Sequence, residues 1–189
     1  MRKILLLFFF GSWAFNAFAN EKIEYVTQIL EPTGGNIQKP KDWFYSERHG
    51  GSSLTWILSE ENPDDGPYNT GVRIQLIQGI KAGTGKTPEE FVARFASDKE
   101  KTSEILSECE RSEQDLFYRV CLETKEIAVE GTKVRSHIQY SMFWNNELDI
   151  GIFVTAGTSE ELWETKKEIF KKMEAFEFID MKRFEKNES

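Results

Sequence analysis

Ser136-His137-Ile138-Gln139-Tyr140-Ser141-Met142-Phe143-Trp144, followed by Asn145-Asn146-Glu147 and then Leu148-Asp149-Ile150-Gly151-Ile152-Phe153-Val154, is two alternating runs around a polar turn. Val134, Ile138, Tyr140, Met142 and Trp144 share one face of the first run. Leu148, Ile150, Ile152 and Val154 share one face of the second. Period two is how a strand puts one side into a core. A two-residue turn at Asn145-Asn146 would oppose Trp144 to Glu147 and Met142 to Asp149. A three-residue loop that includes Glu147 pairs Trp144 with Leu148, Met142 with Ile150, Tyr140 with Ile152 and Ile138 with Val154. The sequence therefore predicts that register, with an Asn in the left-handed position. Phe143 and Phe153 fall on the faces opposite these sets and are expected in core under covering helices rather than in an exposed patch.

The same alternation recurs outward from this hairpin. Leu54, Trp56 and Leu58 share one strand face, Val72, Ile74, Leu76 and Ile80 another, and Leu116, Tyr118, Val120 and Leu122 a third. Two helix starts separate and follow these strands. Thr87-Pro88-Glu89-Glu90 offers a capping Thr, Pro at the first helical position and Glu at the third, with Phe91, Val92 and Phe95 on one face. Thr158-Ser159-Glu160-Glu161 offers a second capping box, followed by Leu162, Trp163, Ile169, Phe170, Met173 and Phe176 at helical spacing. Strands, helix, strands and a closing helix make an α+β chain: an antiparallel β-sheet with helices packed on it. Neither an internal repeat nor a Pro/Gly/Ser-rich linker divides it, so the reading is a single domain over residues 20–180 and a charged tail over 181–189.

The amino terminus reads as an export signal. Met1-Arg2-Lys3 is basic, Ile4 to Phe10 is apolar, and Ala17-Phe18-Ala19 has the small-x-small form of a cleavage site, so cleavage is expected after Ala19. The apolar run is shorter than the roughly 20 residues that span a bilayer, and no Cys follows it for lipid attachment. Loss of residues 1–19 removes Arg2 and Lys3 but no acid, which moves the formal charge of the 189-residue chain from −8 to −10. A periplasmic or secreted monomer without stable membrane anchoring is the expected product. Acidity of this degree argues against nucleic acid as a partner, because phosphate backbones are held by clustered Lys and Arg.

Cys109 and Cys121, the only two cysteines, are expected to form a disulfide in an oxidising compartment. Closing that short loop stabilises the fold by about 3 kcal/mol on the chain-entropy argument. A catalytic Cys assisted by His137 is the rival reading, without a motif to support it. His137 shares its side of the strand with Arg135, Gln139 and Ser141 and reads as a solvated sheet residue; His49 falls in a Gly/Ser turn. Gly83-Thr84-Gly85-Lys86-Thr87 imitates a phosphate loop, but Ile80 stands where that motif needs Gly, so a turn and helix cap is the better reading. No catalytic, cofactor-binding or metal-ligating set is assigned. The connection between Ser59 and Gly71 is long, and Glu60, Glu61, Asp64 and Asp65 are its candidate partner-binding residues, facing a solvated or basic counterpart.

One family resemblance follows from these segments. Ile37-Gln38-Lys39-Pro40-Lys41-Asp42-Trp43 is similar to the Pro-x-Gly-Trp lead-in of Mog1/PsbP-like domains, with Asp42 where that family usually has Gly. The Thr-Pro-Glu-Glu-Phe helix, the antiparallel run and the aromatic closing helix also resemble the family, over nearly the whole exported chain. The resemblance implies an α/β/α sandwich and a non-enzymatic binding or assembly factor, and transfers no residue role. The expected function is thus an exported protein-binding module with an unknown, basic partner. The alternatives left open are an acidic-pair hydrolase and a small-ligand or lipid carrier.

Overall fold

A computed structural model describes residues 23–114, 116–127, 134–180, 182 and 183. The expected export signal, residues 1–19, lies outside them, as does most of the tail 181–189. Ten strands run β1 (Tyr25–Leu30), β2 (Gly34–Pro40), β3 (Phe44–Glu47), β4 (Ser53–Ser59), β5 (Gly71–Gln78), β6 (Glu104–Gln114), β7 (Phe117–Glu126), β8 (Ser136–Asn145), β9 (Ile150–Ser159) and β10 (Phe176–Ile179). Helices α1 (Ile80–Thr84) and α2 (Pro88–Thr102) follow β5, and α3 (Trp163–Met173) follows β9 through one 3-10 turn. The strands make a seven-stranded sheet, in the order β3-β4-β5-β9-β8-β7-β6, and a three-stranded sheet, β1-β2-β10. Every described pairing is antiparallel, so the α+β class expected from the sequence is the observed one.

Helix α2 lies on one face of the large sheet, where Phe91, Val92 and Phe95 meet Tyr140, Met142 and Phe153. On the other face, α3 and the small sheet bury Trp163, Phe170, Leu30 and Ile37 against Trp56, Ile74 and Ile152. The small sheet had no counterpart in the sequence reading. Its strands are short or irregular in pattern, and β10 takes Phe176, which helical spacing had assigned to the closing helix.

The central hairpin corrects the predicted register. Asn145 pairs with Ile150, Phe143 with Ile152 and Met142 with Phe153, around a four-residue loop, Asn146 to Asp149. The shift is odd, so it exchanges the faces. Ile138, Tyr140, Met142 and Trp144 face α2, while Ile152, Val154 and Ala156 face α3 with Phe143. Two local devices hold this loop. Asn145 Oδ1 accepts from the N–H groups of Glu147 and Leu148, each at 2.9 Å. Asp149, rather than an Asn, takes the left-handed conformation at φ 53°. Its carboxylate accepts from Lys81 N at 2.7 Å and Ala82 N at 3.3 Å, capping α1. Trp144 lies opposite Gly151, where a Cβ would sit 2.7 Å from Ile80 Cδ1. Ile80 has left the strand for α1, and Val134, Leu116 and Leu148 stand exposed outside their strands. Phe143 and Phe153 are both core, on opposite faces.

The Thr87 capping box forms as expected, with Thr87 Oγ1 accepting from Glu90 N and the Glu90 carboxylate from Thr87 N. The same exchange of hydrogen bonds holds the Glu90 carboxyl below the usual carboxylate range. Gly85 is the left-handed cap of α1, consistent with turn rather than phosphate loop. The second capping box does not form. Thr158 is still in β9, fully buried, and its hydroxyl meets that of Thr70 at 2.8 Å. At the far end of α2, Glu126 accepts from Lys99 Nζ at 2.8 and 2.9 Å, from Ser103 Oγ at 2.6 Å and from Tyr140 Oη. Burial opposes ionisation of Glu126, but these donors outweigh it and leave its carboxyl below the ordinary value. Burial beside that carboxylate pushes the Tyr140 hydroxyl up.

Candidate functional site

Helix α2 packs mainly on β8 and β9, and α3 on β9 and β2. Over β7 and β6 the cover is incomplete: α2 touches β6 and leaves a groove beside it on one face, and α3 leaves a wider one on the other, so these two strands form a partly open wing. Strand β6 forms the outer edge, and most of its residues are exposed. Its ladder is interrupted between Ile105 and Ser107 and again between Cys109 and Ser112, irregularities that discourage further strands from adding to an edge. Cys109 and Cys121 are direct cross-strand partners with Cα atoms 5.1 Å apart, at disulfide-bonding distance, and are joined. The Cys121 sulfur is thus not available to His137 as a thiol.

The groove on the α3 side is a cleft of about 830 Å³. Pairing of Lys125 with His137 and of Glu123 with Gln139 places all four side chains on its floor. Its wall is the flank of α3 that carries Glu164, Lys167, Glu168 and Lys171. His137 corrects the expectation of a solvated residue: it is buried at 6% exposure. Its ring lies flat on the indole of Trp163, centroids 3.6 Å apart and planes 7° from parallel. His137 Nε2 is 2.6 Å from Glu123 Oε1, and Ser107 Oγ donates to Glu123 Oε2 at 2.9 Å. The carboxylate is therefore the hub that braces β6 and β8 to β7. Ser107 addresses Glu123 and not His137, so the three do not line up as nucleophile, base and orienter. Beside them Lys125 pairs with Glu160, and Arg135 bridges Glu104 and Glu160 at 2.5 and 3.8 Å. The hydrogen bond from Lys125 holds the Glu160 carboxyl below its ordinary value.

The acidic connection is placed elsewhere and is not a single patch. Glu60 pairs with Lys166 of α3 at 2.6 Å. Glu61 Oε2 accepts from Thr70 N at 3.1 Å, folding back on its own loop. Asp64 and Asp65 are brought together by Asn62, which accepts from Asp64 N at 3.1 Å and donates to Asp65 at 3.0 Å. The Asp64 carboxylate also sits 3.5 Å from Arg48 and stays 72% exposed. His49 is less free than a turn residue: its Nδ1 accepts from Thr55 N at 3.1 Å, so Nε2 carries the proton toward Glu31 O at 3.0 Å.

The groove on the α2 side is smaller, about 330 Å³, with Val120, Leu122, Met142 and Trp144 in its lining. Arg111 closes one end, its guanidinium 4.3 Å from the Tyr118 ring centre and 5.2 Å from that of Trp144, tethered to Glu89 at 2.5 Å. Trp144 is 3% exposed and its indole N–H has no acceptor among the described residues. Sequence reading missed both grooves. The alternation of Arg119, Cys121, Glu123 and Lys125 was visible, but its partners are fixed by register and its cover by helices distant in sequence.

No family model and no curated protein matches the chain. Solved structures do. Cyanobacterial PsbP from Synechocystis is 14% identical, with 84% of this chain and 94% of that chain covered at a TM-score of 0.51. The Saccharomyces cerevisiae Ran-binding protein Mog1p is 12% identical, over 85% and 98%, at 0.48. LpqN of Mycobacterium tuberculosis, involved in cell envelope biogenesis, is 9% identical, over 82% and 90%, at 0.46. The fold is Mog1/PsbP-like.

Proposed function

We propose that the chain is an exported, non-enzymatic binding or assembly module that holds a protein partner on the β6–β7 wing. The observation that carries this reading is the partly open wing itself, which has a charged cleft on one face and a smaller groove on the other. Wide, open clefts lined by both signs of charge suit recognition of a protein surface, where complementary charge sets orientation and encounter rate. The cross-strand cysteine pair and the leader-like first nineteen residues support export to an oxidising compartment. Of Glu60, Glu61, Asp64 and Asp65, which are dispersed along their loop, Asp64 is the most available to a basic partner in this reading. A photo-crosslinking residue placed at Leu106, which is 40% exposed and lines the cleft, tests it. Irradiation in cells is expected to yield a discrete adduct from position 106 and none from Phe44, 44% exposed on β3 at the opposite edge of the sheet. Absence of an adduct at 106, or equal adducts at both, overturns it.

A further inference from the structure

We infer that the Cys109–Cys121 bridge is an exchangeable redox site, opened by a protein dithiol, in which Arg119 stabilises Cys121 as the departing thiolate. The bridge joins the outer edge strand to its neighbour, and both cysteines are half-buried rather than enclosed. The ladder is interrupted before Cys109 and again directly after it, and Glu108 and Glu110 beside it are exposed, so an incoming thiol meets little cover there. On the inner side, Arg119 and Cys121 stand two residues apart on one face of β7, ~6.6 Å along the strand. Ser141 is the cross-strand partner of Cys121, and Arg119 Nη2 donates to Ser141 Oγ at 3.0 Å, so the guanidinium leans toward Cys121. Among the described residues Arg119 makes no other side-chain hydrogen bond and no ion pair, and its Nε is buried without an acceptor. A partly buried guanidinium in so acidic a chain is ordinarily paired. Glu123, the acid on the other side of Cys121, is already taken by His137 and Ser107. The thiolate released when the bridge opens supplies the missing negative charge.

The exchange balances as a two-electron step, whatever the wing binds. A thiolate of the dithiol attacks Cys109 Sγ, on the more open strand, and forms a mixed disulfide, while the electron pair of the broken bond goes to Cys121 Sγ beside Arg119. The second thiol of the reductant, deprotonated, then closes on the first, so the reductant leaves as a disulfide and Cys109 and Cys121 take up its two protons as thiols. A cationic neighbour favours the thiolate, and a stabilised thiolate leaves faster. The full-length chain without residues 1–19 is reduced with dithiothreitol at pH 7, and each cysteine is followed by alkylation and mass spectrometry. The bridge of the folded protein is expected to open within about tenfold of its rate in urea, and in the reduced protein Cys121 is expected to stay reactive to lower pH than Cys109. Arg119→Gln is expected to slow opening about tenfold and to move the Cys121 profile to higher pH, and Arg119→Lys to restore most of both. A bridge that opens only in the unfolded chain overturns the proposal, as does an Arg119→Gln protein that is reduced and alkylated as wild type. If Arg119→Gln fails to fold, coincident pH profiles for Cys109 and Cys121 in the wild-type protein overturn it instead.

Discussion

The two halves of the large sheet differ less in their strands than in what lies against them. β8 and β9 are enclosed on both faces, by α2 on one and by α3 with the small sheet on the other, and Met142 and Ile152 are fully buried. β6 and β7 belong to the same sheet, yet β6 exposes nearly every side chain and is held by a disulfide, two ladder irregularities and the Glu123 brace. Burial stabilises the first half and cross-links the second. A strand left open on its faces cannot draw its stability from being covered.

The largest effect should come from the enclosed half. Phe170→Ala removes a 1%-exposed ring packed on Trp43 and Trp163, and is expected to cost about 3–5 kcal/mol in urea denaturation. Next comes the staple of the wing. Replacing both Cys109 and Cys121 by Ser is expected to cost up to about 3 kcal/mol, concentrated in the wing. Hydrogen exchange should show β6 amides accelerating up to ~100-fold while those of β9 change far less. Equal acceleration in both strands would mean that the wing is not a separate unit.

Glu126 lies at the boundary between the halves. Its folded carboxyl is held below the ordinary carboxylate value by its hydrogen-bond donors despite burial, so the native state releases that proton more readily than the unfolded chain. The stabilisation is complete above the unfolded value and is lost as pH falls through the folded one. Glu126→Gln is expected to cost about 1–2 kcal/mol at pH 7 and to remove this part of the acid-side slope. Urea midpoints at pH 7 and pH 3.5 measure both. The smallest effect belongs to the wing surface: Leu106→Ala should shift stability by less than about 0.5 kcal/mol while impairing partner binding.

The elements that read clearly in the sequence are those whose signals are local. The Thr87 box needs only Pro88 and Glu90 to declare itself, and it forms. The Thr158 box has equally good spacing and fails, because a buried hydroxyl at Thr70, remote in sequence, claims Thr158 for the strand. The central hairpin was misregistered because both of its faces are core, so alternation marks neither side as inside. The fold class survives this error, since either register gives the same antiparallel pair. The candidate site does not, because His137 becomes buried only through Trp163, which arrives with α3.

Asp149 has a consequence for how the chain finds its register. The carboxylate that ends the β8–β9 loop also caps α1, which the chain makes some seventy residues earlier. A hairpin one residue out of step would carry Asp149 away from Lys81 and Ala82 and return their exposed N–H groups to water. The register of the turn is thus tied to a helix outside the hairpin, since only the observed alignment sets the Asp149 carboxylate on the start of α1.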